Sequence, residues 1–165
     1  MKLRTAVISS YIFIQFALIS LSVFTIMGSS DSLKAVSFIQ SNVRVSISNM
    51  NRIKMDIVQI QQWLTDVSAS GNLDGLGKAE EYYQDAVTLI QQDIERKKQA
   101  EKPELEEKLT GMLSKLQEYY RIGTQMTHAY VDEGQEAGNV LIAQFDLIAE
   151  ELGAFSDKMI STYNG

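Results

Sequence analysis

The 165-residue chain has no cysteine, one proline (Pro103) and one histidine (His128). Without cysteine there is no disulfide framework and no thiolate metal site. With a single histidine, a zinc site of the usual kind cannot be assembled. A carboxylate-bridged di-iron bundle needs Glu-x-x-His on two helices, and the residue three before His128 is Gln125. No glycine-rich phosphate loop occurs, and His128 stands in no triad motif. The expectation is a protein without metal, cofactor or catalytic residues, and not an enzyme. The ten glycines fall mostly between periodic stretches, and so few breakers favour long helices over many short strands.

Acidic residues are missing from residues 1–28, which hold Lys2 and Arg4 and therefore carry +2 of the net charge of -6. The rest of the chain carries -8. An acidic body gains nothing from approaching phosphates, which are bound by clustered Lys and Arg, so nucleic acid is not an expected partner.

No charge occurs from Thr5 to Ser30, and Ala6 to Met27 is dominated by Ile, Leu, Val, Phe and Ala. As a helix this run covers roughly 33 Å, enough to cross a bilayer core. Lys2 and Arg4 just before it keep the tip cytoplasmic and send the acidic body outside. A cleaved signal peptide is the competing reading, since Gly28, Ser29 and Ser30 follow. The run exceeds the roughly 7–15 residues of a signal h-region, and no Ala-x-Ala site is present, so an uncleaved anchor over residues 1–29 is expected.

From Asp31 the pattern becomes amphipathic. One row, read every seven residues, is Val36, Val43, Met50, Ile57, Leu64; its companion is Ile39, Ser46, Ile53, Ile60, Val67, with Ser46 the one polar member. This is an a/d seam, and it predicts a helix over about 31–70 that can continue the membrane segment. Gly71-Asn72-Leu73-Asp74-Gly75 supplies a turn with Asp74 as N-cap. A second helix, about 76–101, has the stripe Leu76, Ala79, Tyr83, Ala86, Ile90, flanked by Val87 and Ile94, and ends in Arg96, Lys97 and Lys98, cations suited to a helix C-terminus. Pro103 opens a third, about 103–133, with Glu104, Glu106 and Glu107 in its first turn and a stripe of Leu105, Leu109, Met112, Leu116, Tyr119, Gly123, Met126, Tyr130. Gly134 is the expected stop. The fourth, about 137–163, carries Leu141, Phe145, Ile148, Leu152, Phe155, Met159. The fold class expected is all-α: an N-terminal transmembrane helix continuing into an up-down-up-down four-helix bundle over residues 30–165.

Two stretches stand out from this periodicity. Gln59-Ile60-Gln61-Gln62-Trp63-Leu64-Thr65-Asp66 holds the only tryptophan, either packed into the core or forming one wall of a small-ligand pocket. Tyr119 to Tyr130 places two tyrosines on the core stripe and leaves Arg121 and His128 off it. Arg121 can hold a carboxylate bidentately or pair with Glu118 on the surface. Arg44, Arg52 and Lys54 can attract anions or be solvated at the bundle surface.

Gln61-Gln62-Trp63-Leu64-Thr65-Asp66 closing the first helix resembles bacterial methyl-accepting chemotaxis proteins with a four-helix-bundle ligand-binding domain. So does Met126-Thr-His-Ala-Tyr130 followed by Gly134, Gly138-Asn139 and Phe145-Asp146. The resemblance implies a homodimeric periplasmic sensor anchored in the bacterial inner membrane. In it, ligand binding shifts the last helix and so controls a cytoplasmic histidine kinase. Its second membrane helix, linker domain and methylated hairpin do not occur within residues 1–165, so the sequence reads as truncated before the second span. The arginines that hold a ligand carboxylate in amino-acid-sensing members are missing from 59–70, and Arg121 stands in for them. The candidate ligand-contacting residues are Gln62, Trp63, Asp66, Arg121, His128 and Asn139. The expected partner is a small-molecule ligand or a periplasmic binding protein. An anchored helical adaptor binding a protein partner, and the input domain of a sensor histidine kinase, are the alternatives.

Overall fold

The computed structural model describes residues 42–164, of which 43–164 lie in one compact unit. The apolar run Ala6–Met27, and the seam positions Val36 and Ile39, lie outside the described residues. Among the described residues no helix is long and apolar enough to cross a membrane.

The described chain is all-α. Helix α1 covers 42–70, α2 Gly75–Gln99, α3 Pro103–His128 and α4 Gln135–Asn164. The a/d seam of α1 is buried as a row: Ser46, Met50, Ile53, Ile57, Ile60, Leu64 and Val67. The other stripes meet it in one core built from Ala79, Ala86 and Ile90 of α2, Leu109, Met112, Leu116, Tyr119 and Met126 of α3, and Phe145, Ile148, Leu152 and Met159 of α4. Side chains at 3/4 spacing on four helices can all be covered only if each helix turns that stripe inward, so the pattern itself dictates the bundle.

Cross-helix bonds fix how the helices lie. Arg52 pairs with Asp85 at 3.1 Å and Ser46 donates to Asp93 at 3.4 Å, so α1 and α2 run in opposite senses. Lys54 meets Asp157 at 2.7 Å and Gln61 donates to Asp146 at 3.2 Å, which sets α4 opposite to α1 as well. Between α1 and α3 the sense is shared: Tyr119 reaches the Ile57 carbonyl and Thr127 the Leu64 carbonyl. One end of the bundle therefore holds two turns, 71–74 and the one at Gly134. The other holds the single turn 100–102 and the end of α4.

Three local details differ from expectation. Asp74 does not cap α2: its backbone is helical and its side chain makes no cap bond. The turn is held instead by Asn72, whose Oδ1 accepts from the Asp74 amide at 3.0 Å, because an Asx turn starting two residues earlier leaves Asp74 already in helical geometry. The α-helix of α3 stops at His128, and Ala129–Glu133 forms a wider π-helical turn before Gly134, which adopts φ 97° and ψ -180°, a region open only to glycine. At the single turn, the Lys102 amide bonds to the Lys97 carbonyl (2.9 Å) and the Glu101 amide to the Lys98 carbonyl (3.1 Å). This is a Schellman closure with Glu101, at φ 53°, where glycine usually sits.

Candidate ligand groove and a buried polar cluster

At the two-turn end α1, α3 and α4 leave a groove of about 400 Å³. Its walls are Gln61, Thr65, Ser68 and Ala69 of α1, Met126 of α3, Tyr130 of the π turn, and Ile142, Phe145 and Asp146 of α4. Each wall has a local cause. Phe145 is buried and stacked on Tyr119, ring centroids 4.6 Å apart and nearly parallel. It lies beside Gly123, where a Cβ would come within 2.5 Å of both the Phe145 ring and Leu64. The Thr127 hydroxyl donates to the Gly123 carbonyl (2.9 Å), and that of Ser68 to the Leu64 carbonyl (2.8 Å), so the α1–α3 contact beneath the groove has its polar groups satisfied locally. Tyr130 lies over Gly138, where a Cβ would come within 2.3 Å of the ring, and its hydroxyl donates to Asn139. The π turn thus brings Tyr130 over the start of α4, and the missing side chain at 138 makes room for it.

Gln61 and Asp146 bond to each other and also wall a second groove of about 410 Å³ that runs down the α1–α4 seam past Lys54, Val58, Ala149 and Glu150. A third, about 620 Å³, lies along the outer face of α1 and holds Gln62, Trp63 and Asp66 together with Gln61, Thr65 and Ala69. The three share walls along one side of the molecule. Exposed apolar residues mark the same helices: Met55 and Val58 on α1, Val140, Ile142 and Leu147 on α4.

Of the six candidate residues, the structure brings Gln62, Trp63 and Asp66 together. Trp63 is half-buried: it packs on Gly75 at the first turn and lines the outer groove. Arg121 stands apart. It is exposed, donates to Gln125 at 2.8 Å rather than pairing with Glu118, and lines none of the grooves described. His128 is exposed and lies 3.4 Å from Asp132 one turn on. Asn139 holds Tyr130, and through it the groove wall. Arg52 and Lys54 are engaged by Asp85 and Asp157. The inner-groove residues Gln61, Ser68, Met126, Ile142 and Asp146 are not among the six candidates, although Gln61, Met126 and Asp146 sit in the motifs. The missed signal is that Gln61, Thr65 and Ser68 recur at 3/4 spacing on one flank of the α1 seam.

A different chemistry occupies the single-turn end. Asp93 is fully buried and Lys97 nearly so, and both lie on the α2 stripe where apolar residues are the rule. They face Ser46. Lys97 Nζ donates to Ser46 Oγ at 2.9 Å, Ser46 and Asn49 approach Asp93 Oδ1 at 3.4 Å, and Arg96 binds the same oxygen. Tyr163 of α4 completes the cluster, its ring 4.4 Å from the Lys97 ammonium. Burial pushes the Asp93 carboxyl up against the opposing pull of Arg96, Lys97 and Ser46, and pushes the Lys97 ammonium down against the pull of Asp93. The expected C-terminal cations therefore divide: Lys98 is exposed, whereas Lys97 turns into the core. Midway along α1, Asp56 is buried with Oδ2 unpartnered, and desolvation raises its carboxyl to about 6 despite nearby Arg52.

No family model, curated protein or solved structure matches the chain.

Proposed function

We propose that this chain is the signal-input region of a bacterial transmembrane chemoreceptor, an up-down-up-down bundle set outside the cytoplasm on the apolar segment Ala6–Met27. It is not an enzyme in this reading. The observation that carries it is the inner groove, which takes walls from α1, the α3 end and α4 at once. A ligand seated there touches Ile142 and Asp146 of α4, and α4 then runs without interruption to Asn164. From Asp146 to the helix end is about 27 Å at 1.5 Å per residue, so a small displacement at the groove reaches the opposite end of the bundle as motion of a rigid rod. For the ligand to signal, it must bind two settings of α4 with different affinity.

Homodimerisation belongs to the same reading. On the outer face of α1, Met55, Val58, Gln62, Thr65 and Ala69 follow 3/4 spacing, and Met55 and Val58 are 59% and 48% exposed. The exposed apolar pair Met55 and Val58 on this row supports pairing with a copy of itself along α1. The same exposed residues, with Val140 and Leu147 on α4, favour a second reading in which a protein partner, such as a periplasmic binding protein, docks on this side.

The test is a chimera. The chain is joined to the second membrane helix and signalling half of an established chemoreceptor, and kinase output is followed while a broad panel of organic acids, amines and amino acids is added. A compound-dependent change in output is expected. Output that follows no compound, but changes when a binding protein is supplied, would favour the second reading; a chimera silent to both sinks the sensor assignment.

A further inference from the structure

We infer that the inner groove takes a small organic cation, an ammonium with a short apolar body, with Asp146 as its counter-ion; this rests on the ligand-sensing reading above and names the ligand's class. Among the described residues, Asp146 is the one charged side chain in the groove wall. Among the described residues its hydrogen-bond donor is the neutral Gln61 amide, and no described cation pairs with it. The adjoining grooves add Glu150 and Asp66, while their one cation, Lys54, is held by Asp157 at 2.7 Å. The potential at the groove is therefore negative, and it selects against carboxylates, which would meet Asp146 without a compensating donor of charge.

The remaining walls fit the other half of such a ligand. Met126 and Phe145 form an apolar floor, Ile142 a side, and Met is a side chain that adapts to varied apolar shapes. Tyr130, fixed by Asn139 and seated over Gly138, offers a ring at the mouth against which an ammonium or its methyl groups can rest. Thr65 and Ser68 supply hydroxyls for the N–H donors of a primary ammonium. Asn139 is in this scheme a positioning residue acting through Tyr130. The arrangement replaces the expected carboxylate clamp, because Arg121 is off the groove and bonded to Gln125.

The experiment is calorimetric titration of the full chain in detergent micelles at fixed ionic strength. The probes are benzylammonium, isoamylammonium and choline, set against benzoate and isovalerate. At least one ammonium probe is expected to bind, and the carboxylates are not. Asp146→Asn should weaken that binding about three- to fivefold, the size of a contact made to an exposed carboxylate. Glu136→Gln removes the same charge from the same end of α4 but lies off the groove, and should change affinity by no more than about twofold, as a screened distant charge does. Ile142→Trp fills the groove while keeping Asp146 and should abolish binding; thermal melting by circular dichroism checks that each variant folds. Carboxylates binding in place of ammonium probes would overturn the ligand class and leave the sensor reading standing. Ammonium binding insensitive to both Asp146→Asn and Ile142→Trp would overturn the location. Binding of none of the probes overturns the assignment, and chimera output, read with the broad panel, then decides the sensor reading separately.

Discussion

At the two-turn end the stripe positions of facing helices carry Leu64, Tyr119, Gly123 and Phe145, packed ring on ring and ring on backbone. At the single-turn end the equivalent positions carry Ser46, Asp93 and Lys97, with Tyr163 laid over the ammonium. Both layers are buried. They differ in what a shift of one helix costs. An apolar layer that slides still finds apolar neighbours, whereas sliding α1 or α2 by a turn strands Asp93 or Lys97 in the core without a partner. The polar layer thus pins the axial setting of α1 and α2 at one end. The apolar layer at the other end carries no such polar constraint and borders the open groove. Adjustable packing and fixed register sit at opposite ends of the same rods.

The largest expected effect breaks the apolar side. Phe145→Ala removes the stacking partner of Tyr119 and leaves a cavity beside Gly123, at a cost of about 3–5 kcal/mol in a urea denaturation series. A loss under about 1 kcal/mol would mean that the aromatic layer does not carry the two-turn end.

The polar side is tested by a pair of variants. Asp93→Ala leaves Lys97 buried beside Ser46 with its counter-charge gone and should cost about 3 kcal/mol. Replacing the layer as a whole, Ser46→Ala with Asp93→Leu and Lys97→Met, should be neutral or stabilising by about 1–4 kcal/mol, because the desolvation cost disappears with the charges. If the triple variant were as unstable as the single one, the layer would be contributing net stability and not register alone.

Asp56, between the two ends, gives the comparison a pH dependence. Its carboxyl lies at about 6 in the folded chain against 3.8 for the free group, so folding takes up a proton between those values. The favourable contribution is complete below about pH 4 and is lost as pH rises through about 6. Above that the ionised group, 5% exposed and with one oxygen unpartnered, costs about 2–3 kcal/mol. Asp56→Asn should therefore stabilise the bundle at pH 7.5 and change little at pH 4, measured as midpoint shifts at the two pH values. Equal effects at both would remove burial of the charge as the cause.

The smallest change concerns the single turn. Glu101→Gly places at φ 53° the residue that adopts it without strain and should raise stability by about 0.5–1 kcal/mol, read as a small increase in melting temperature.

Much of the fold was legible because burial and periodicity are one signal. Every described member of the α1 seam is buried or half-buried, and the α3 and α4 stripes face the core as read. Helix limits fell within a few residues wherever chemistry marks them: Pro103 opens α3 and Gly134 ends the turn after it. The site was legible only in pieces. The outer trio Gln62, Trp63 and Asp66 lies on consecutive turns of one helix, which a single periodic reading can group. The inner groove draws on three helices: Ile142 and Asp146 lie one turn apart on α4, but no spacing joins them in advance to Met126 or Gln61. Asp93 and Lys97 could have been suspected, since both continue the α2 stripe and Ser46 interrupts that of α1. Nothing in the order of residues says that the three interruptions meet.

The sequence by itself determined the helices, their inward faces, the turns and the acidic body, because each follows from local spacing, glycine and proline geometry or a count of charges. Tertiary structure alone decided that Lys97 meets Ser46 and Asp93 in the core, that Arg121 stays off the groove, and that Asp146 is the sole charge in its wall among the described residues. The physical reason is that burial and charge pairing depend on what the neighbouring helices bring, and that register is fixed only when all four are packed.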